Sequence, residues 1–144
     1  GLWPGPRLYL LDTNTCIFII NGRPPGVFER FRQHPAGTIA VSSITAAELH
    51  FGVTKSGSAR NQAALDKFLL PLAMMSFAAA AASRAGLVRT DLERRGLPIG
   101  SLDTLIAAHA LSLGAVLVTN NLREFERVKG LALENWLTES DHDL

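Results

Sequence analysis

Acidic and amide side chains recur inside apolar runs in four short blocks: LLDTN at 10–14, AAEL at 46–49, PIGSLDTLIAAHA at 98–110 and VTNNLREF at 118–125. These blocks carry Asp12, Glu48, Asp103 and the pair Asn121 and Glu124. A buried carboxylate is costly unless it is paired or bound to a metal. The first three blocks contain no Lys or Arg that could serve as a local ion-pair partner. If the acids converge they repel: two unit charges about 4 Å apart cost roughly 4 kcal/mol at an effective dielectric near 20. A divalent cation removes that cost. Carboxylate and water ligands suit hard ions such as Mg²⁺ or Mn²⁺, and such sites cut phosphodiesters by activating water.

Each acid also has a plainer reading. Asp12 before Thr13 and Asn14 has the composition of a helix cap. Asp103 fits a first-turn acid favoured by the helix dipole. Glu48 shares a helical stripe with Ile44 and Phe51, which points it toward apolar packing, where it would be a ligand or a hydrogen-bonded buried acid. Asn121 could be a turn residue, and Glu124 a solvent-facing acid beside Arg127. His109, among Ile106, Ala107, Ala108 and Ala110, reads as a core histidine and not as a base. Ser42, Ser43 and Ser101 read as helix caps, because no Ser–His–Asp set or nucleophile elbow is present.

The elements that must position these residues follow from periodicity and punctuation. Strands are predicted at Leu8–Leu11, at 38–42, at Leu72–Phe77, at 115–119 and at 131–136. Helices are predicted through Cys16–Ile20, with Thr13 or Asn14 as cap, over 27–34, from a Ser42 or Ser43 cap to about Lys55, over 59–70, over Ala78–Arg95 and from a Ser101 cap to Leu113. Arg84, Arg89, Arg94 and Arg95 form the solvated face of the fifth of these. Strands that are apolar throughout and separated by helices imply an α/β protein, a three-layer α/β/α arrangement around a central parallel sheet. Ligands of such sheets sit beyond the carboxyl ends of the strands. Asp12 and Thr119–Asn121 follow two strands directly and therefore share an edge.

Bulk properties set the limits. A chain of 144 residues, 47% hydrophobic, suits one domain with a real core. The formal net charge of +1 lacks the basicity of a general nucleic-acid coat, so any nucleic-acid contact needs a local patch. The single cysteine, Cys16, excludes an internal disulfide, suits the cytoplasm and reads as a small packed hydrophobe. With the four histidines it never forms zinc-finger spacing. The apolar run at 69–82 contains Pro71 and is short of the roughly 20 residues of a membrane span. Residues 1–7 are expected to be an added or frayed start and not a signal peptide, 8–137 to form the domain, and 138–144 to be a loose acidic tail.

At these blocks the sequence resembles the PIN domain, and more narrowly the VapC toxins of bacterial toxin–antitoxin pairs. The matching residues are LLDTN (10–14), SSITAAELHFGVTKS (42–56), GLPIGSLDTLIAAHA (96–110), LVTNNLREFERVKGL (117–131) and ENW (134–136). The resemblance runs from about Leu8 to Trp136, and the four motifs in this order are highly specific together.

The resemblance implies a metal-dependent endoribonuclease. Its acids map onto Asp12, Glu48 and Asp103. Its usual fourth acid falls on Asn121, an amide without charge, and Glu124, a turn away, could supply what is missing. Thr119 matches a hydroxyl near the site, with Asn14 as a further supporting residue, and Ser101 stands where a proline is usual. The implied ion is Mg²⁺, with Mn²⁺ as substitute, held by Asp12, Asp103 and Glu48. The implied substrate is RNA, with initiator tRNA cut in its anticodon loop for the group ending NNLREFERV. The implied partners are a second copy of the chain and a VapB antitoxin. The antitoxin would insert a basic residue near the acids and would alone contact DNA. Phe28, Phe31, Phe51 and Phe68 are candidates for exposed aromatic surface. The alternatives are a PIN-like scaffold that has lost catalysis, favoured by Asn121, and a DNA nuclease of similar chemistry.

Overall fold

Three apolar strands form the centre of the molecule, and their side chains alternate between two cores. In the computed structural model, which describes residues 7–35 and 37–137, these are β1 (Tyr9–Leu11), β2 (Ile39–Ser42) and β4 (Val116–Val118), flanked by β3 (Ala73–Met75) and β5 (Ala132–Glu134). The sheet order is β3-β2-β1-β4-β5, and every pair is parallel. Leu10, Ala40 and Leu117 point to one face; their neighbours Leu11, Val41 and Val118 point to the other. That is the two-residue period of a strand covered on both sides.

Helices cover both faces. α1 (Thr13–Asn21), α2 (Pro25–Gln33), α3 (Ser43–Ser56) and α4 (Ala59–Leu69) close over Leu11, Val41 and Val118 with Cys16, Ile19, Val27, Leu49, Leu65 and Phe68. α5 (Ala79–Arg94), α6 (Ser101–Leu113) and the short α7 (Leu122–Phe125) cover the opposite face through Ala85, Val88, Leu92, Ala107, Ala108 and Phe125. The alanines let α5 and α6 lie close together, and this is the most extensive helix pair. The predicted α/β/α arrangement is the observed one.

Several local expectations need correction. The cap of α1 is neither Thr13 nor Asn14 but Asp12, whose Oδ1 accepts from Thr15 N at 2.8 Å. The cap of α6 is Gly100 and not Ser101; its carbonyl accepts from both the backbone and the hydroxyl of Thr104. The last strand is shorter than 131–136, because the chain leaves the sheet after Glu134 to bury Trp136 under the α1–α4 layer. α7 was not expected, since four residues are too few to show a helical period. Phe68 is core, and Phe28 and Phe31 are partly buried beside it, so Phe51 alone of the four phenylalanines is exposed. Arg95 is half-buried, pairs with Asp91 at 2.6 Å and donates to the Arg127 carbonyl. Residues 1–6 and the tail at 138–144 lie outside the described residues. Among the described residues no helix is long and apolar enough to cross a membrane.

Gly86 lies within α5, and a Cβ there would meet no atom within 4 Å. A glycine inside a helix costs backbone entropy, so Gly86→Ala is expected to stabilise the fold by about 0.5–1 kcal/mol. Thermal denaturation should show this as a rise of about 2–4 °C per kcal/mol. A lowered midpoint would mean that this face of α5 is already covered in solution.

Candidate active site

The order β3-β2-β1-β4-β5 reverses its winding between β1 and β4, which opens a crevice at the carboxyl ends of these two strands. Leu11 pairs with Val118, and the ladder runs one residue further, Asp12 N donating to Val118 O at 3.0 Å. Asp12 and Thr119 therefore stand side by side at the mouth of the crevice. Ser42 ends β2 and caps α3 through Ile44 N at 3.1 Å, so α3 leaves the same edge and carries Glu48 along the opening. α6 brings in Asp103 in its first turn, and α7 brings in Glu124.

Glu48 does not face apolar packing as its stripe suggested. The buried side of α3 is Thr45, Ala46 and Leu49; Glu48 is half-buried, and its Oε1 accepts from Thr13 Oγ1 at 2.8 Å. Asp12 is buried. Burial pushes its carboxyl above the ordinary value, and hydrogen bonds from the Thr119 hydroxyl and from Thr15 pull partly the other way. Asp103 is pushed up to about 6, first by burial, then by the charge of Glu124 and a hydrogen bond to it, and then by the charges of Asp12 and Glu48. Glu124 moves down, chiefly because Gly100 N–H donates to it, with Asn121, Asp103 and Arg127 adding to the effect. Of the two neighbouring carboxyls, Asp103 is therefore the one that keeps its proton to higher pH.

Gly100 shows how closely this corner is built. Its N–H donates to Glu124 Oε1 at 2.8 Å, and a Cβ at this residue would lie 3.4 Å from Asp103 Oδ2 and 3.8 Å from Glu124 Oε1. Asn121 Nδ2 donates to the other oxygen, Oε2, at 2.5 Å, and Asn121 N donates to Thr119 Oγ1 at 3.0 Å. Asp12, Glu48, Asp103, Thr119, Asn121 and Glu124 are therefore brought together. Asn14 is exposed at the start of α1 and makes none of these hydrogen bonds.

Sequence reasoning missed three donors: Thr13, Thr15 and the Gly100 N–H. The two threonines lie in or beside the LLDTN block, where their spacing from the cap at Asp12 was a usable signal. The Gly100 contact joins residues 24 apart and has no local signature.

None of the four carboxylates takes part in an ion pair among the described residues. Their partners are uncharged donors, which satisfy lone pairs without cancelling charge. Hard oxygen donors in a net-negative crevice suit Mg²⁺ or Mn²⁺. Among the described residues no three acid, histidine or cysteine side chains stand close enough to enclose an ion on their own. An ion held here would have to take much of its shell from water. From Glu48 a groove of about 590 Å³ runs between α1, α3 and α4, with Thr13, Ile17, Leu49, Val53 and Arg60 among its walls.

His109 lies in the core, its Nδ1 2.8 Å from Ser42 Oγ and its ring edge-on to Phe77. Burial lowers its pKa, which keeps it neutral, as expected of a packed histidine. Cys16 is fully buried, and burial holds its thiol protonated.

Known proteins share this architecture. The PIN domain family matches residues 9–131. The tRNA(fMet)-specific endonuclease VapC of Shigella flexneri is 45% identical over 129 residues, which is 89% of this chain and 97% of that protein. Ribonuclease VapC2 of Rickettsia felis is 46% identical over 131 residues, or 90% and 98% of the two chains. Among solved structures, DNA-bound VapBC of Salmonella typhimurium superposes with a TM-score of 0.84 at 42% identity, covering 91% of this chain and 99% of that one. VapBC2 of Rickettsia felis, bound to a DNA fragment from its promoter, gives 0.82 at 43% identity over 90% and 99%. With that coverage and identity, this chain belongs to the PIN-domain family, within its VapC group.

Proposed function

We propose that this protein is the toxin of a toxin–antitoxin pair, an Mg²⁺- or Mn²⁺-dependent endoribonuclease that hydrolyses RNA phosphodiesters. The observation that carries the reading is the convergence of Asp12, Glu48, Asp103 and Glu124 on one crevice, where burial and then the neighbouring charges push Asp103 up to about 6. Asp12 and Asp103 would hold the ion, with Glu48 ligating it or orienting the attacking water. Thr13 fixes the Glu48 carboxyl for either task. When bound, the ion supplies charge neutralisation at the scissile phosphate and lowers the pKa of the attacking water. Asn121 and Glu124 complete the outer shell, and Thr119 orients Asp12. Water is added across one P–O bond, and the chain is cut.

The name of the similar protein from Shigella supports initiator tRNA as the substrate. The VapBC complexes support a VapB-like antitoxin as partner. Its C-terminal segment would lie in the groove beside Glu48 and place an Arg or Lys near Asp12, Glu48 and Asp103, competing with the ion. Pairing of two toxin copies, and operator binding through the antitoxin alone, complete the proposed assembly, which would act in the bacterial cytoplasm. A scaffold without catalysis is the weaker reading. Its supporting feature was Asn121, and Glu124 restores a fourth acid within hydrogen-bonding distance of that amide.

Cleavage of initiator tRNA, unstructured RNA and DNA, each with Mn²⁺ or Mg²⁺ and with EDTA, tests this function. Metal-dependent cutting of RNA is expected, together with a loss of more than about 100-fold for Asp12→Asn and Asp103→Asn, since even outer-shell changes at such sites cost about 10–100-fold. Full activity in EDTA, or in a folded Asp103→Asn protein, would remove the assignment.

The pH dependence of the metal-free protein is a second test. The folded chain holds the Asp103 proton up to about pH 6, whereas an unfolded aspartate releases it near 3.8. Folding therefore takes up a proton in this window, and stability falls as pH rises through it. Glu124 is shifted the other way and acts only below its ordinary 4.5. From pH 4.5 to 7.5 in EDTA the midpoint should drop by about 3 °C, corresponding to about 1 kcal/mol after solvent screening at a partly exposed carboxyl. Asp103→Asn should raise the midpoint at pH 7.5 and flatten the curve.

A further inference from the structure

The formal net charge of +1 is unevenly spread. On α5, Arg89 is neutralised by Glu93 at 3.0 Å. Six further cations lie on α5, its cap residue, α7 and the turn after it: Arg84, Arg94, Arg95, Arg123, Arg127 and Lys129. Apart from Glu93 and the crevice acid Glu124, the acids of these segments are Asp91 and Glu126. Two of the six cations have structural tasks. Arg95 pairs with Asp91 at 2.6 Å and donates to the Arg127 carbonyl, and Arg127 donates to the Pro98 carbonyl at 2.9 Å. These bonds tie the end of α5, the turn after α7 and the loop before α6 together at the border of the crevice, where the charge of Arg127 reaches Glu124.

The other four cations have no such task. Arg84, Arg94 and Arg123 are exposed and form no ion pair or hydrogen bond among the described residues. Lys129 makes one distant contact, 4.0 Å from Asp91. Asp91 is held below the ordinary carboxylate value, first by its hydrogen bond from Arg95 and then by the charges of Arg95, Lys129 and Arg94. One acid thus answers three cations. Arg84 and Lys129 rim a shallow depression of about 180 Å³ that Asp91 also lines, with Leu87, Val88 and Val128 in its walls. A basic band therefore leads from this depression past Arg94 and Arg95 to Arg127, and it ends beside Glu124.

We propose that Arg84, Arg94, Arg123 and Lys129 form a landing surface for the RNA backbone beside the cut, with Arg95 and Arg127 as its frame. This inference rests on the RNA-cleaving reading above. A polyanion brought to four carboxylates is repelled by them. An ion in the crevice offsets that repulsion at one phosphate, and the neighbouring phosphates need cations outside it. Such help acts over roughly 10 Å at 0.1 M salt, so it has to come from a surface continuous with the crevice. Contacts of this kind fix the register of the strand without reading its bases. The band lies on the α5–α7 layer, opposite the layer that holds the groove beside Glu48.

Two fourfold variants of equal net charge test the surface. One combines Arg84→Gln, Arg94→Gln, Arg123→Gln and Lys129→Gln; the other combines Arg23→Gln, Arg32→Gln, Lys55→Gln and Lys67→Gln, all exposed and outside the band. Both should melt like the parent. Fluorescence anisotropy of labelled initiator tRNA in EDTA, from 50 to 200 mM KCl, reads binding without chemistry. Each phosphate contact contributes about 0.7–0.9 to the slope of log affinity against log salt. The parent should therefore exceed the band variant by about 3 in slope, and should lose roughly 50-fold more affinity across this range. The second variant should keep the parent's slope. In Mn²⁺ the band variant should show a raised KM for tRNA cleavage with kcat unchanged. A band variant with the parent's slope and KM, or a second variant equally weakened, would overturn the proposal. The two levels of argument separate cleanly. If the parent binds tRNA through the band yet cuts no RNA in Mn²⁺, the cleavage reading fails; if it cuts while the band variant behaves like the parent, only the landing surface fails.

Discussion

The carboxyl edge of this sheet is governed by the burial and mutual repulsion of carboxylates that the fold holds together with no Lys or Arg paired to them among the described residues. Asp12, Glu48 and Glu124 each raise the cost of charging Asp103, and no Lys or Arg forms an ion pair with any of the four among the described residues. The hydrogen bonds that hold them come from neutral donors, Thr13 to Glu48, Thr15 and Thr119 to Asp12, and Gly100 and Asn121 to Glu124, with the charge of Arg127 adding a smaller attraction at Glu124. Such donors fix orientation and satisfy lone pairs, yet they leave the net charge in place. On the proposed reading, a crevice built this way would bind a cation because the cation removes that repulsion.

The fold tolerates the charge by where it puts the acids. Asp12 caps α1, Asp103 lies in the first turn of α6, and Glu124 lies in the first turn of α7. Helix N-termini carry partial positive charge from unpaired N–H groups, worth about 0.3–1 kcal/mol to a nearby anion. Three of the four acids receive this help. Glu48, further along α3, does not, and it is the one anchored by a hydroxyl from another helix. The two apolar layers on either side of β1, β2 and β4 hold these helix starts at fixed separations, so the acids cannot drift apart to relieve one another. Packing on both faces is what keeps the acids together at this edge.

The sheet and six of the seven helices were legible because strand burial writes continuous apolar runs and because Gly22, Ser42, Gly57 and Gly114 punctuate them where the observed caps lie. The four-residue α7 had no period to read. The acids themselves were legible as charged residues set in apolar blocks, but their surroundings were less so. Thr13 meets Glu48 across 35 positions and Gly100 meets Glu124 across 24, and no local pattern encodes a contact of that span. The helical stripe misled at Glu48: Ile44 and Phe51 share its face by spacing, yet Ile44 packs against the core while Phe51 is exposed, so the stripe runs from the core out to open surface. Periodicity reports which residues share a face. Whether that face meets core or groove is decided by elements elsewhere in the chain.

The competing explanations for Asp12 turn out to be one explanation. Its carboxylate caps α1 and also faces the crevice, because the strand ends at the residue where the helix begins and both need an acceptor at the same place. The same economy holds for Glu124, which caps α6 through Gly100 while lending charge to Asp103. Capping fixes each carboxylate through one oxygen, and a fixed carboxylate pays less entropy when it takes up a ligand. On the proposed reading, an ion and an inhibitor's basic side chain would draw on this one preorganised charge. Each relieves the same repulsion, so they exclude each other, and the groove beside Glu48 gives the peptide the additional contacts a free ion lacks. Switching the site off then needs no change of shape in the toxin: it follows from which cation is held there more tightly.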